Sequence, residues 1–283
     1  MSYTIRPLAS IDDFLRVFEL ERRVWTLPSG DDAVPVNLFA ATVKCGAILL
    51  GAFDEDGSLV GFVYSFPGLR HGRLLQWSHM LGVDQPHRAH GLGRRLKLAQ
   101  RERALAQGVA RIEWTFDPLQ VENAHLNLNV LGAEASEYLD DVYGASNSPL
   151  HAGAATDRLV AHWDLDSDKV RQLCDEPGRA QGICPPAGGR VAAVPVNRLR
   201  REGRWVVCDG EPDLTCEAPA LAVLIPPAFT ELLHEAPALA RDWRLQTRQV
   251  FRKYLGRGYV ATAFVRDDGG GRYVMTRGQG SGA

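Results

Sequence analysis

Six residues, Arg88-Ala89-His90-Gly91-Leu92-Gly93, constrain this chain more than any other stretch. They follow the apolar run Met80-Leu81-Gly82-Val83 and open a segment whose spacing predicts a helix from Leu92 to Gln107. A strand, a glycine turn and a helix N-terminus in that order make an anion site. Backbone N–H groups point out of the turn, and the helix dipole adds positive potential. Gly91 and Gly93 let a phosphate approach without a Cβ in the way. Spacing rules out two common phosphate loops. A dinucleotide fingerprint needs a third glycine where Leu96 stands, and a P-loop needs Gly-Lys-Ser/Thr, which neither glycine supplies.

The rest of the N-terminal half supplies the elements around this turn. Tyr3 to Arg6 reads as a strand ended by Pro7, Ile11 to Trp25 as a helix and Val36 to Lys44 as a second helix. Ala47 to Phe53 and Leu59 to Phe66 make a hairpin around Asp54-Glu55-Asp56-Gly57. Pro67, Gly68 and Gly72 predict a further turn before the strand Leu74 to Val83. Ile112 to Phe116 is a fifth strand, stopped by Asp117-Pro118, and a helix runs from near Glu122 to before Leu131-Gly132.

The order β-α-α-β-β-β-α-β-α, with R-x-x-G-x-G between the fourth strand and third helix, resembles the GNAT acetyltransferase superfamily over residues 3 to 165. Val60-Gly61-Phe62 is similar to the family's G-F strand. Asn123-Ala124 followed by Leu131-Gly132-Ala133 is similar to its N…A…LGF segment. The nearest likeness is to a predicted-acetyltransferase subgroup with an extra C-terminal region. The resemblance implies an α+β fold whose mixed, mostly antiparallel sheet has splayed fourth and fifth strands, joined to a smaller α+β C-terminal region. It implies acetyl-CoA, or another acyl-CoA, as donor substrate. Pantetheine then pairs with the backbone of Leu81 and Val83. Arg88, Ala89, His90, Gly91, Leu92 and Gly93 cradle the pyrophosphate, with Arg94 and Asn123 as further contacts. Arg94 reads equally well as part of a solvated basic face.

The implied reaction is direct attack of an amine on the thioester in a ternary complex. His79 is the candidate base: imidazole titrates near neutrality, and some family members carry a catalytic histidine at this offset. Strand alternation groups His79 with Leu75, Trp77, Leu81 and Val83. The competing reading is a core histidine bonded to a backbone carbonyl. Asp117 is a candidate for orienting a cationic substrate, against the plainer reading of an Asp-Pro turn. Many family members carry a tyrosine three residues before the L of LGF, and here that position is Leu128. This departure leaves the acid unidentified and keeps a second reading open: a non-catalytic acyl-CoA sensor or interaction module.

Beyond the motif region, Leu159 to Leu165 reads as a strand and 166–190 as a linker-like segment rich in Pro and Gly. Residues 191–283 read as an α+β region, a degenerate GNAT-like half among the options. It holds strands at Val191 to Val196, Trp205 to Cys208, Leu221 to Ile225, Tyr259 to Val265 and Arg272 to Thr276, a helix from Ala236 to Leu255, and a disordered end from Gly278. Arg241, Arg244, Arg248 and Arg252 line that helix, either as a ridge for an acidic ligand or as a solvated face.

Composition sets the remaining expectations. A formal net charge of -2, from 32 basic and 34 acidic residues, gives no global reason to expect nucleic acid. No apolar run reaches the roughly 18 residues of a membrane helix. Met1 to Arg6 lacks the basic and apolar regions of a signal peptide. A cytoplasmic location, a small-molecule or peptide amine acceptor, no membrane partner and an optional homodimer are expected. Cys45, Cys174, Cys184, Cys208 and Cys216 show no C-x-x-C spacing, so reduced thiols and no metal are expected.

Overall fold

The computed structural model describes residues 2–27, 33–144, 154–175, 192–267 and 269–277. Most of the linker-like stretch and the tail expected to be disordered lie outside them. The chain forms two compact units, Met1–Trp114 with Asp164–Ser167, and Thr115–Trp163 with Asp168–Ala283. The sequence reading drew the first domain through residue 165, whereas these units part after Trp114 and only a short segment returns.

The first unit contains β1 (Thr4–Pro7), α1 (Ile11–Trp25), α2 (Val36–Lys44), β2 (Ile48–Phe53), β3 (Leu59–Arg70), β4 (Arg73–Val83) and α3 (Leu92–Ala106), and ends within β5 (Arg111–Phe116). Its strands lie in the order β1-β2-β3-β4-β5, antiparallel up to β4 and parallel between β4 and β5. α1 starts at a capping box, in which Ser10 Oγ accepts the Asp13 N–H and the Asp13 carboxylate accepts the Ser10 N–H. Phe14, Val17 and Leu20 of α1 and Phe39 of α2 bury against Phe62, Tyr64 and Met80 on one sheet face. α3 covers the other face with Leu92, Leu96 and Ala104. A Cβ on Gly61 would press to 3.2 Å from Leu96 Cδ1 and 3.3 Å from Gly82 O. The glycine of the G-F pair therefore sets how closely α3 packs.

One predicted turn is displaced. β3 runs on through Pro67 and Gly68, and the hairpin closes at His71 and Gly72, with φ of 50° and 72°. Among the described residues β2 pairs with β3 from Leu59 to Ser65, and no strand pairs with β3 on that side beyond it. Beyond that point β3 is an edge on that side, where proline is tolerated.

The second unit contains α4 (Val121–His125), a π-helical turn at Leu126–Val130, β6 (Glu134–Leu139), β7 (Arg158–Asp164), α5 (Asp168–Cys174), β8 (Val194–Pro195), β9 (Leu199–Glu202), β10 (Trp205–Cys208), β11 (Ala220–Ile225), α6 (Phe229–Glu235), α7 (Pro237–Leu255), β12 (Tyr259–Asp267) and β13 (Gly270–Arg277). α5 corrects the linker reading at its start. Val170 is fully buried, and a Cβ on Gly132 would meet Leu173 Cδ1 at 2.8 Å.

This unit has an internal likeness that sequence periodicity did not expose. Helix then hairpin occurs twice, as α4-β6-β7 and α7-β12-β13. Each hairpin is entered through a left-handed glycine, Gly132 (φ 75°) or Gly258 (φ 81°). Three residues on stand Ala135 and Ala261, which pair with each other and join the hairpins antiparallel. Each alanine is followed by a β-bulge, at Ser136 and at Thr262. Thus Gly132 to Leu139 matches Gly258 to Val265 in backbone and in small-residue pattern.

Candidate functional site

The β4–β5 ladder is short. Gln76 pairs with Ile112 and Trp77 with Glu113. β4 continues to Val83, so from Ser78 onward its edge toward β5 has no strand partner among the described residues. The strands part here, leaving the backbone of Leu81 and Val83 along an open edge.

At the end of that edge lies the glycine turn. Asp84 caps a single 3-10 turn at Gln85–His87. Arg88, Ala89, His90 and Gly91 are exposed. Ala89 and Gly91 both hold left-handed φ, 64° and 71°. Arg88 Nε donates to Val83 O (2.9 Å), and His90 Nδ1 lies 2.7 Å from Arg88 O. A Cβ on Gly91 would meet nothing within 4 Å, and one on Gly93 only Leu81 Cδ2 at 3.8 Å. These glycines therefore make room for no protein neighbour; the space they leave faces outward.

The two long helices of this unit start differently. α1 has Ser10 as a cap and Asp12 and Asp13 in its first turn. α3 has Gly91, no side-chain cap and no acidic residue in its first turn. Its first intrahelical bond is Arg95 N–H to Gly91 O. The N–H groups of Leu92, Gly93 and Arg94 thus lack helix acceptors, as in any first turn. Arg94 stands beside them. Arg95 is engaged elsewhere, donating to Tyr3 O at 2.8 Å and lying over the Tyr3 ring. This end of α3 suits an anion.

His79 is the inserted residue of a β-bulge. Tyr64 pairs with Met80 and Ser65 with Ser78, so His79 has no partner across β3. The bulge resets the alternation. Leu81 lies under α3 near Gly93, whereas the His79 ring sits edge-on to Tyr64 (6.2 Å) and near Phe66 (6.0 Å), on the α1–α2 face. The expected grouping of His79 with Leu81 and Val83 is therefore corrected. The residue is exposed overall, but burial of the packed side holds the imidazole below its usual pKa.

Under the parting strands, on the α3 face, lies a polar cluster that the sequence did not reveal. Lys97 is 2% exposed. Its Nζ donates to Gln100 Oε1 (2.7 Å) and Ser78 Oγ (3.2 Å) and sits 3.9 Å from the centre of the Trp114 ring. Gln100 Nε2 also donates to Ser78 Oγ (3.1 Å). Burial drives the Lys97 pKa well below its usual value.

Asp117 and Asn123 belong to the second unit. Asn123 is exposed on α4. Asp117 Oδ1 accepts the Leu119 N–H, and both carboxylate oxygens grip Arg244 at 2.8 and 2.7 Å. The arginine row of α7 is a ladder of such pairs. Arg248 holds Asp157 through two bonds of 2.8 and 2.6 Å, and Arg252 holds Asp140 at 3.0 Å. Burial alone would raise the Asp157 pKa; the bonds from Arg248, Tyr138 and the Asp141 N–H outweigh it and hold the carboxyl below its usual value. Neither earlier reading of these arginines, ligand ridge or solvated face, describes Arg244 and Arg248. Leu128 is 1% exposed in the interior of this unit. Its counterpart in the second helix–hairpin is Tyr254, whose hydroxyl donates to Asp213 O (2.6 Å). Among the described residues no three His, Cys, Asp or Glu side chains gather as a metal site, and no helix is long and apolar enough to cross a membrane.

The sheet is mostly antiparallel, its fourth and fifth strands part, and a glycine turn stands at the head of the next helix. Residues 14–126 match the acetyltransferase (GNAT) family, and this stretch of the chain is a GNAT-family domain. Among similar solved structures is a GNAT-family acetyltransferase from Streptococcus pneumoniae, 19% identical, covering 57% of this chain and 98% of its own, with a TM-score of 0.47. Another is NAA60 from Arabidopsis thaliana, in complex with a bisubstrate analogue, 16% identical, covering 57% and 98%, with a TM-score of 0.46. A third is yncA from Salmonella typhimurium with its cofactor acetyl-CoA, 19% identical, covering 59% and 96%, with a TM-score of 0.48. No curated protein matches the chain.

Proposed function

We propose that the first unit binds acetyl-CoA, or another acyl-CoA, as donor substrate and transfers its acyl group to an amine of a small molecule or peptide. The observation that carries this reading is the uncapped, arginine-flanked start of α3 at the end of an unpaired strand edge. The Arg88–Gly93 turn and Arg94 hold the pyrophosphate. The edge at Leu81 and Val83 offers backbone groups to the pantetheine amides. Gly91 and Gly93 fit that role, since both leave open space beside N–H groups.

His79 faces the other side of the sheet and accepts the ammonium proton of the acceptor. The freed amine attacks the thioester carbon in a ternary complex. The C–N bond forms, the C–S bond breaks, the nitrogen sheds its second proton to solvent, and CoA leaves as a thiolate that takes up a proton. A base held below the usual imidazole value remains unprotonated, and so competent, to lower pH. The test is calorimetry with acetyl-CoA, then a thiol-release assay over a panel of amines. The acidic limb of kcat/KM should titrate below about 6.5, the ordinary imidazole value. His79→Ala should lower kcat by about 100-fold or more with donor affinity unchanged. No binding of acetyl-CoA at millimolar concentration sinks the reading.

A second reading, an acyl-CoA sensor without turnover, is favoured by one observation. Leu128 puts an apolar side chain where many family members carry a hydroxyl. Binding without thiol release on any amine, together with an inert His79→Ala, would support it.

A further inference from the structure

We propose that Lys97 receives the departing CoA thiolate and donates the proton it needs, in place of the hydroxyl missing at Leu128. The inference rests on the acyl-CoA reading above and adds a residue to it.

The placement is specific. The last β4–β5 pair is Trp77 with Glu113. The next residue on each strand is Ser78 and Trp114, and Lys97 Nζ contacts both. The amine therefore lies where the two strands begin to separate, at the closed end of the gap whose open end meets the glycine turn. A pantetheine arm has about twelve bonds from phosphate oxygen to sulfur, the length of about four residues of extended chain at three backbone bonds each. Four residues back from Val83 along β4 is His79, and Ser78 follows. An arm anchored at the turn thus brings its sulfur to the level of the bulge and of Lys97.

The surroundings fit a proton donor. Ser78 Oγ and Gln100 Oε1 accept from Nζ, fixing it in place, and the Trp114 face stabilises its positive charge. The neighbouring ionisable groups each have another partner or another face. Arg101 of α3 donates to Leu165 O (2.9 Å); Glu113 of β5 is held by Arg70 (2.7 Å) and Arg111 (2.8 Å); His79 of β4 lies on the opposite sheet face. On β3 the residue across from Ser78 is Ser65, which does not ionise. Burial weakens the hold of the amine on its proton, which suits transfer to sulfur. As the C–S bond breaks, its electron pair stays on sulfur and an Nζ–H proton moves there, leaving CoA thiol and a neutral amine. The attacking nitrogen gives up a second proton as the amide forms. Of the two protons that leave it, one restores Lys97 through solvent and the other is released, so ammonium and acyl-CoA give amide, CoA thiol and one H+.

The test needs no acceptor. CoA is bound to the full chain, and its thiol is titrated by the ultraviolet absorbance of the thiolate. In the wild type the bound thiol should titrate at least one unit below its free value of about 8.5. Lys97→Met should abolish that shift while leaving CoA affinity near pH 6.5 within about threefold. Lys97→Arg, with a permanent charge, should preserve the shift. A second measurement uses the wild type alone, in case Lys97→Met does not fold. The affinity for CoA relative to dethio-CoA should rise toward tenfold between pH 7 and 9. Equal thiol titration in the wild type and Lys97→Met, or a flat affinity ratio, overturns the assignment while leaving CoA binding intact. Absence of binding heat from CoA in the wild type instead removes the acyl-CoA reading, and this inference with it.

Discussion

Helices α3 and α7 both carry rows of basic residues, and the two rows have opposite settings. On α7, Arg244, Arg248 and Arg252 each close on an aspartate, at Asp117, Asp157 and Asp140. On α3, Lys97 meets neutral oxygens and an indole face, Arg101 a backbone carbonyl, and Arg95 another. The α7 row fastens its unit together. The α3 row keeps cationic character beside a strand edge and a helix start that can use it. A basic stripe in a sequence does not tell these apart, because the deciding carboxylates come from distant parts of the chain.

Arg244→Met should have the largest effect. It leaves the partly buried Asp117 with Arg158, at 3.8 Å, as its neighbouring cation, and should cost about 3–5 kcal/mol in chemical denaturation. A loss under 1 kcal/mol would mean the α7 row is not the fastening described. The same pairing predicts acid lability. A carboxyl held below its unfolded value, as Asp157 is, stabilises the fold above the unfolded pKa of about 3.9 and loses that contribution as pH falls through its folded pKa.

Lys97→Met should act in the other direction, raising stability at pH 7 by about 1–4 kcal/mol, since a buried cation is replaced by an apolar chain of similar length. The sign with pH is also reversed. A lysine with a lowered folded pKa destabilises the fold at low pH, and that penalty fades as pH rises from the folded pKa toward about 10.4. The advantage of Lys97→Met, followed by thermal melts, should therefore shrink toward pH 10. A growing advantage would contradict the described burial of the amine.

Gly93→Ala should stabilise the free protein by about 1 kcal/mol, since α3 gains a better helix former at a site with room for it. Acetyl-CoA affinity should fall at the same time, and gains in both would argue against a phosphate over Gly93. Arg252→Ala should matter least, at about 0.2–1 kcal/mol, because its pair with Asp140 is exposed.

The regular elements of the first unit were legible because helical spacing and a capping residue act within a few positions. α1 and α2 have the bounds that the periodicity of Ile11 to Trp25 and Val36 to Lys44 predicts. The glycine turn was legible for the same reason. What escaped depends on distant partners. The bulge at His79 is set by pairing with Tyr64 and Ser65, so simple alternation put the imidazole with the wrong neighbours. β6, Glu134–Leu139, has no β-branched residue and forms between β7 and β12. α5 was hidden by the Pro- and Gly-rich stretch that follows it. Nothing in the local sequence singles out Lys97, and only the approach of Ser78 and Trp114 shows that it is enclosed.

The alanine junction of the second unit bears on the order of assembly. β6 (Glu134–Leu139) is made long before β12 (Tyr259–Asp267), the strand that covers one of its edges through Ala135 and Ala261. The β2–β3–β4 hairpins of the first unit close between near neighbours in sequence and can form while translation continues. Until β12 arrives, β6 presents unpaired backbone groups to any other strand in reach. Chains stopped before residue 259 should therefore aggregate through that edge, while the intact chain conceals it.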